Sequence, residues 1–249
     1  MVVEKRCRCR QWFAPYEFGR RGRDDCSCAV PDEQAVVISG IIFDAFGTLV
    51  RIGQRTSPYR ELMREGRRQG LALTSDTMHF AMTTNQPLDA VASQLGIALT
   101  PSKLKELSLV LETELSSIQP FPDAVEAIGL LRKAGFRIGI CSNLAYPYGP
   151  RVKAFFPDLD GYAFSYQLGC VKPDPVLYQS VCNQMGVQPG HCLTDGVGRV
   201  LMIGDSQRCD RDGPRAAGIM GFHLERRPYG QIRDLNQFAS QVLEESTGI

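Results

Sequence analysis

Apolar positions along this chain fall into two kinds of run that alternate. Gly40-Ile41-Ile42-Phe43, Ile138-Gly139-Ile140-Cys141 and Val200-Leu201-Met202-Ile203 are short and nearly unbroken, as expected of strands buried on both faces. Between them, apolar residues recur at spacings of three and four, which is the period of a helix with one buried stripe.

Taken in order, the second half predicts a helix from Phe121-Pro122-Asp123 to Gly135, a strand to Cys141, and a short helix over Arg151–Phe156. A strand over Gly161–Tyr166 follows, then a helix over Pro173–Met185, a long turn over Gln188–Arg199 and a strand over Val200–Ile203. A helix over Ser206–Ala217 and a strand over Ile219–His223 continue the series. Strict alternation of this kind predicts an α/β fold with a parallel, doubly wound sheet.

Residues 51–119 break the alternation and read as all helical. Leu104, Leu107, Leu111, Leu115 and Ile118 form one stripe on a long helix that starts near Thr100-Pro101, and shorter helices are expected at Tyr59–Arg68, Ser75–Thr83 and Pro87–Leu95.

The three unbroken apolar runs each end in polar chemistry. Asp44 follows the first, after which Gly47 and Thr48 turn the chain; Ser142-Asn143 ends the second; Lys172 stands before Pro173-Asp174; Gly204-Asp205-Ser206 ends the third, with Asp210 close behind. A carboxylate nucleophile needs a rigid strand beneath it and N–H groups nearby to hold an anion. Asp44 by itself reads equally well as a strand-end acid capping a turn.

The full order of acid, hydroxyl, lysine and acid, with Arg215-Ala216-Ala217-Gly218 beyond, resembles the haloacid dehalogenase-like hydrolase superfamily over residues 38–245. The resemblance implies a Rossmann-like core at 38–50 and 120–249, interrupted at 51–119 by a small helical cap. It also implies an enzyme in which Asp44 attacks the substrate, Ser142 and Asn143 donate hydrogen bonds to its oxygens, and Lys172 neutralises charge. Gly47 and Thr48 join the phosphate-binding set.

Two carboxylates at neighbouring strand ends repel unless a proton or cation separates them. Mg2+ suits such a site because it takes oxygen ligands and keeps several waters. Asp44, Asp205 and the Phe46 backbone carbonyl would hold it, supported by Asp210. The expected partner is a small-molecule phosphate ester or acyl phosphate.

One position departs from the pattern. Family phosphatases carry a second Asp, the general acid and base, two residues after the nucleophile, where this chain has Phe46. Dehalogenases of the superfamily have an aromatic Tyr there, and Tyr178 also fits their spacing after the lysine; their site, however, is metal-free and lacks the acid pair represented here by Asp205 and Asp210. The leading expectation is a magnesium-dependent phosphohydrolase with an altered general acid. A metal-independent 2-haloacid dehalogenase-like hydrolase and a catalytically weak binding or regulatory relative stand beside it.

Composition narrows this picture only modestly. With 249 residues, 43% of them hydrophobic, the chain can bury a core and a smaller second unit, and a net charge of +1 gives no global field that would favour nucleic acid or a membrane. Nine scattered cysteines, an odd number, fit reduced thiols in a cytoplasmic protein. Residues 1–37 lack sustained periodicity and are expected to form a mobile, dispensable extension. Cys7-x-Cys9 and Cys26-x-Cys28 within it invite a zinc reading, but structural zinc modules usually place at least two residues between paired cysteines. Arg51, Arg55, Arg60 and His79 are the candidates for substrate contact from the inserted helices, and solvated surface is the simpler account of each.

Overall fold

A computed structural model describes residues 38–190 and 199–247. The N-terminal extension with its cysteine pairs lies outside the described residues, as do His191, Asp195, Gly196 and Gly198 of the predicted long turn.

Five parallel strands make the main sheet. They are β1 (Ile38–Phe43), β4 (Arg137–Ser142), β5 (Gly161–Phe164), β6 (Arg199–Gly204) and β7 (Met220–His223), in the order β5-β4-β1-β6-β7. The first strand is therefore central, and the chain leaves it to build outward on both sides. Such a reversal of strand order opens a crevice at the carboxyl ends of the strands, where open α/β sheets bind ligands.

Side chains alternate across β1. Ile41 and Phe43 face one layer, where α5 (Pro122–Lys133) contributes Ala127 and Leu131 and α10 (Leu235–Thr247) contributes Leu235 and Phe238. Ile42 faces the other, against Leu177, Val181 and Cys182 of α8 (Pro175–Met185). Each such fully buried side chain contributes about 1.5–3 kcal/mol by leaving water, so both faces resist any slip of the register that aligns the strand ends.

The insertion is helical but not wholly so. Between α1 (Pro58–Arg68), α2 (Ser75–Thr83), α3 (Leu88–Gln94), α4 (Pro101–Ser116) and the core runs a short antiparallel ribbon, in which β2 (Val50–Ile52) pairs with β3 (Ile118–Pro120). Ile118, expected on the stripe of the long helix, instead pairs with Ile52. The three-residue strand Ile118–Pro120 is too short to reveal its period, and Ile118 falls by coincidence on the helical spacing.

Other boundaries moved for similar reasons. α6 spans Tyr148–Phe155, and the chain after β5 turns at once into α7 (Ser165–Leu168). The predicted helix over Ser206–Ala217 divides into a π-helical turn, Gln207–Asp212, and α9, Gly213–Ala216. No helix among the described residues is long and apolar enough to cross a membrane.

Candidate active site

The parallel register brings the polar strand ends to one edge. Phe43 pairs with Ile140 on one side and Ile203 on the other, so Asp44, Ser142 and Asp205 emerge together. Asp44 is anchored through its backbone, its N–H donating to the Ile203 carbonyl at 3.0 Å.

Lys172 lies at the centre, 4% exposed. Its Nζ donates to Asp44 Oδ1 at 2.7 Å, to Asp210 Oδ1 at 2.7 Å and to the Cys141 carbonyl at 2.8 Å, using all three ammonium protons. Burial alone would lower its pKa, but the charges of Asp44 and Asp210 prevail and hold it well above the usual lysine value. The ammonium is thus permanently charged. The Cys141 thiol beside it is pushed up by burial and stays a thiol.

The Asn143 amide engages the backbone of Lys172. Its Oδ1 accepts the Lys172 N–H at 2.7 Å while its Nδ2 donates to the Lys172 carbonyl at 3.1 Å, so the side chain clamps the lysine's backbone. Ser142 is buried, and its hydroxyl makes no hydrogen bond among the described residues, which leaves it able to donate to a ligand oxygen.

The acids gather around this ammonium. One carboxylate oxygen from each of Asp44, Asp205 and Asp210 falls within a group whose members all lie within 4.8 Å of one another. Asp210 is fully buried and reaches the group because the π-helical turn carries it there; its Oδ2 accepts the Ser206 N–H at 2.9 Å. Burial and the neighbouring Asp44 charge push Asp210 up to about 6, against the pull of Lys172. Asp205, more open to solvent, is raised by partial desolvation and by Asp44.

Two glycines make room for these acids. Gly47 has φ +85°, and a Cβ there would collide with Asp205 Oδ2; a Cβ on Gly204 would collide with Asp210. Thr48, fully buried, accepts the Asp205 N–H on its hydroxyl at 3.2 Å. Phe46 and Val50 form an isolated bridge whose bonds run from Val50 N–H to Ala45 and from Gly47 N–H to Val50, so the Phe46 carbonyl is used by neither.

Three acids against one ammonium leave the cluster negative, its donors are all oxygens, and the Phe46 carbonyl, used by neither bond of the bridge, lies on the turn after Asp44. This donor set fits a hard divalent cation such as Mg2+.

Several residues here had no signal in the sequence. Arg226 donates to the Thr48 carbonyl at 2.8 Å, to the Gly47 carbonyl at 3.3 Å and to Asp123 at 2.9 Å, and its guanidinium lies 4.0 Å from the centre of the Phe121 ring. It fixes the turn after Asp44 from 179 and 178 residues away, a distance no local pattern can bridge. Of the arginines singled out earlier, Arg55 and Arg60 line the cleft above Phe46, whereas Arg51 sits over Phe121 and His79 is exposed.

Comparison with known proteins agrees with this architecture. Over 79% of its length the chain is 26% identical to Phosphatase MT3486 of Mycobacterium tuberculosis, covering 91% of that protein. Over 61% of its length it is 29% identical to (S)-2-haloacid dehalogenase 1 of a Pseudomonas species, covering 73% of it. Among solved structures, a HAD phosphatase from Thermococcus onnurineus superposes with a TM-score of 0.55 at 18% identity, over 82% of this chain and 98% of that one. The 2-haloacid dehalogenase from Pseudomonas syringae pv. Tomato gives 0.55 at 16% identity, over 83% and 99%. Residues 38–218 match the sequence model of the haloacid dehalogenase-like hydrolases, and the chain belongs to that family.

Proposed function

We propose that this hydrolase is a magnesium-dependent phosphohydrolase acting on a small phosphorylated molecule with a good leaving group. The observation that carries this reading is the gathering of the Asp44, Asp205 and Asp210 carboxylates, two of which share the single Lys172 ammonium. Negative charge gathered this closely, with Asp44 and Asp210 buried, is costly unless a cation completes it. A site for expelling halide would have no need of it.

In this reading Asp44 Oδ attacks phosphorus as the bond from phosphorus to the leaving oxygen breaks, and the leaving group departs with the electron pair. Water then attacks phosphorus, the bond to Asp44 breaks, and the carboxylate is regenerated with release of inorganic phosphate. Lys172 holds the attacking carboxylate in place and offsets charge on the phosphoryl oxygens, while Ser142 donates to one of them. A bound Mg2+, held by Asp44, Asp205 and the Phe46 carbonyl with Asp210 behind them, would supply further neutralisation of the phosphoryl charge.

Phe46 cannot give a proton to the leaving oxygen, so the chemistry favours leaving groups stable as anions. The inserted helices read as a lid over the cleft. Their contacts with the core support this: Tyr148 donates to Glu114 at 2.8 Å, Ser165 donates to the Met82 carbonyl at 2.7 Å, and Arg151 pairs with Glu112 at 3.0 Å.

The second reading, dehalogenase-like hydrolysis of a 2-haloacid, rests on the aromatic residue at position 46 and on the relative of that activity. Turnover of aryl phosphates, acyl phosphates and 2-haloacids, each with Mg2+ and with chelator, separates the two. Chelator-resistant halide release without phosphate release would replace the first reading by the second.

A further inference from the structure

The last strand delivers Arg226 to the carboxyl edge of the sheet. Past His223 the Leu224 N–H still donates to the Gly204 carbonyl at 2.8 Å, and the Glu225 N–H donates to Ile232 at 2.9 Å, which closes the loop that carries the arginine.

A trans peptide is planar, so its N–H and C=O point in opposite directions. Three successive planes between Phe46 and Leu49 are held on this principle. The Gly47 N–H donates to the Val50 carbonyl at 2.9 Å, which turns the Phe46 carbonyl the other way. In the next two planes the N–H groups of Thr48 and Leu49 donate to the Ala45 carbonyl at 3.4 and 2.8 Å. Arg226 holds their opposite ends, the carbonyls of Gly47 and Thr48, at 3.3 and 2.8 Å. The turn gripped in this way carries the Phe46 carbonyl and the Thr48 hydroxyl, and that hydroxyl accepts the Asp205 N–H.

The guanidinium is itself fixed. It donates to Asp123 Oδ2, an oxygen that also accepts the Leu235 N–H at the start of α10, and it lies 4.0 Å from the centre of the Phe121 ring. The Phe121 N–H in turn donates to the Leu49 carbonyl at 2.9 Å. A lysine would keep the charge beside Asp123 but lose the planar fork that reaches two carbonyls and a carboxylate together. Arg226 does not line the cleft above Phe46.

We propose that Arg226 is a positioning residue for the reaction: by gripping the Gly47 and Thr48 carbonyls it aims the Phe46 carbonyl and the Asp205 backbone at the acid cluster, and so sets turnover without meeting the substrate. Its effect on Mg2+ affinity rests on the phosphohydrolase reading; its effect on the turn does not.

The test compares wild type with Arg226→Lys, Arg226→Met and a control in the buried core of α10, Val242→Ala. Hydrogen exchange of the segment 43–51, followed by mass spectrometry on metal-free protein, should quicken by about fivefold or more in both Arg226 variants while β4 keeps its protection. This arm needs neither metal nor substrate. Calorimetric titration should show Mg2+ affinity weakened by about tenfold in both. On an aryl phosphate at saturating Mg2+, kcat should fall by about tenfold or more with KM within about threefold.

Stability is read beside these values. Arg226→Lys should melt closer to wild type than Val242→Ala does, whereas Val242→Ala should keep kcat and metal affinity within about twofold, a split that a merely structural role would not produce. Unaltered exchange in the turn overturns the inference. So does an Arg226→Lys variant with undiminished kcat, a Val242→Ala variant that loses kcat as the Arg226 variants do, or undiminished Mg2+ affinity in both Arg226 variants of a protein that binds the ion. A wild type that binds no Mg2+ and releases halide from a 2-haloacid would defeat the phosphohydrolase reading alone; the same kcat comparison on that substrate then decides for or against Arg226.

Discussion

The ring of Phe46 meets that of Tyr148 edge to face, with centroids 5.7 Å apart and planes at 87°. Tyr148 in turn donates to Glu114 of the inserted helices, so the residue two places after Asp44 is tied by packing to those helices. Where phosphatases of the family place a proton donor, this chain has a structural contact worth about 0.5–1.5 kcal/mol beyond its buried area.

Wild type should therefore hydrolyse aryl and acyl phosphates far better than alkyl phosphates. Phe46→Asp supplies a carboxylate at this position; general acid catalysis accounts for roughly 10²–10⁴-fold where it is well placed, which sets the ceiling for the gain on alkyl phosphates. Loss of the Tyr148 contact should lower stability by about 1–3 kcal/mol. Leaving-group dependence of kcat/KM, read beside a denaturation curve for each protein, checks both. A wild type indifferent to the leaving group would remove the basis of the prediction.

Lys172→Met retains most of the apolar stem and deletes the charge. Asp44 and Asp210 would then face each other without the ammonium that lies 2.7 Å from each. Removing one partner from a buried ion pair typically costs about 3–5 kcal/mol, and a loss of that order is expected without metal, together with loss of turnover. Saturating Mg2+ should restore part of the stability but not the activity. If urea denaturation finds the variant as stable as wild type in the absence of metal, Asp44 and Asp210 are not coupled through Lys172 as their distances indicate.

How much of this could be read from sequence depends on the range of the interaction. The strand ends carrying Asp44, Ser142 and Asp205 were legible because each lies at the end of an apolar run, and the parallel register then does the rest. The helical insertion was legible from period, but the β2–β3 ribbon at its base was not, since three residues carry no measurable periodicity. Asp210 was noticed as an acid after the third strand, whereas the π-helical turn that aims it was invisible. The Asn143 amide could not be assigned to the Lys172 backbone rather than to substrate, because nothing local encodes the approach of two loops. Arg226 and the buried hydroxyl of Tyr59 are tertiary facts of the same kind.

The acids also predict how metal and pH act together. Asp210 is raised from the usual 3.8 to about 6 in the folded protein, so between those values the folded state binds more protons than the unfolded one. In metal-free protein this group's contribution therefore favours folding as pH falls from 7 through 6 towards 4, and opposes it as pH rises. A cation needs the carboxylates ionised, so stabilisation by Mg2+ should be greatest above pH 6 and shrink below it, by up to about tenfold in affinity per pH unit for one displaced proton. Thermal unfolding from pH 5 to 8, with Mg2+ and with chelator, should show a gap between the two curves that widens with pH. A gap that is constant across this range would speak against carboxylate ligation by this cluster.

Tyr178 separates the two chemistries. Its spacing after Lys172 fits dehalogenases of the superfamily, and its hydroxyl donates to the Cys209 carbonyl at 2.6 Å while the side chain is fully buried. Cys209 precedes Asp210, so the bond braces the π-helical turn that delivers this acid. Tyr178→Phe removes the donor to this part-buried carbonyl and should cost about 0.5–1.5 kcal/mol. If Asp210 supports a cation, the variant should also bind Mg2+ more weakly, with phosphatase activity recovered at higher metal concentration. Calorimetric titration of Mg2+ and the metal dependence of aryl phosphate turnover, measured on wild type and variant, read this directly. A variant with unchanged metal affinity that has lost chelator-resistant turnover of a 2-haloacid would instead place Tyr178 in a dehalogenase-like site and give that reading precedence.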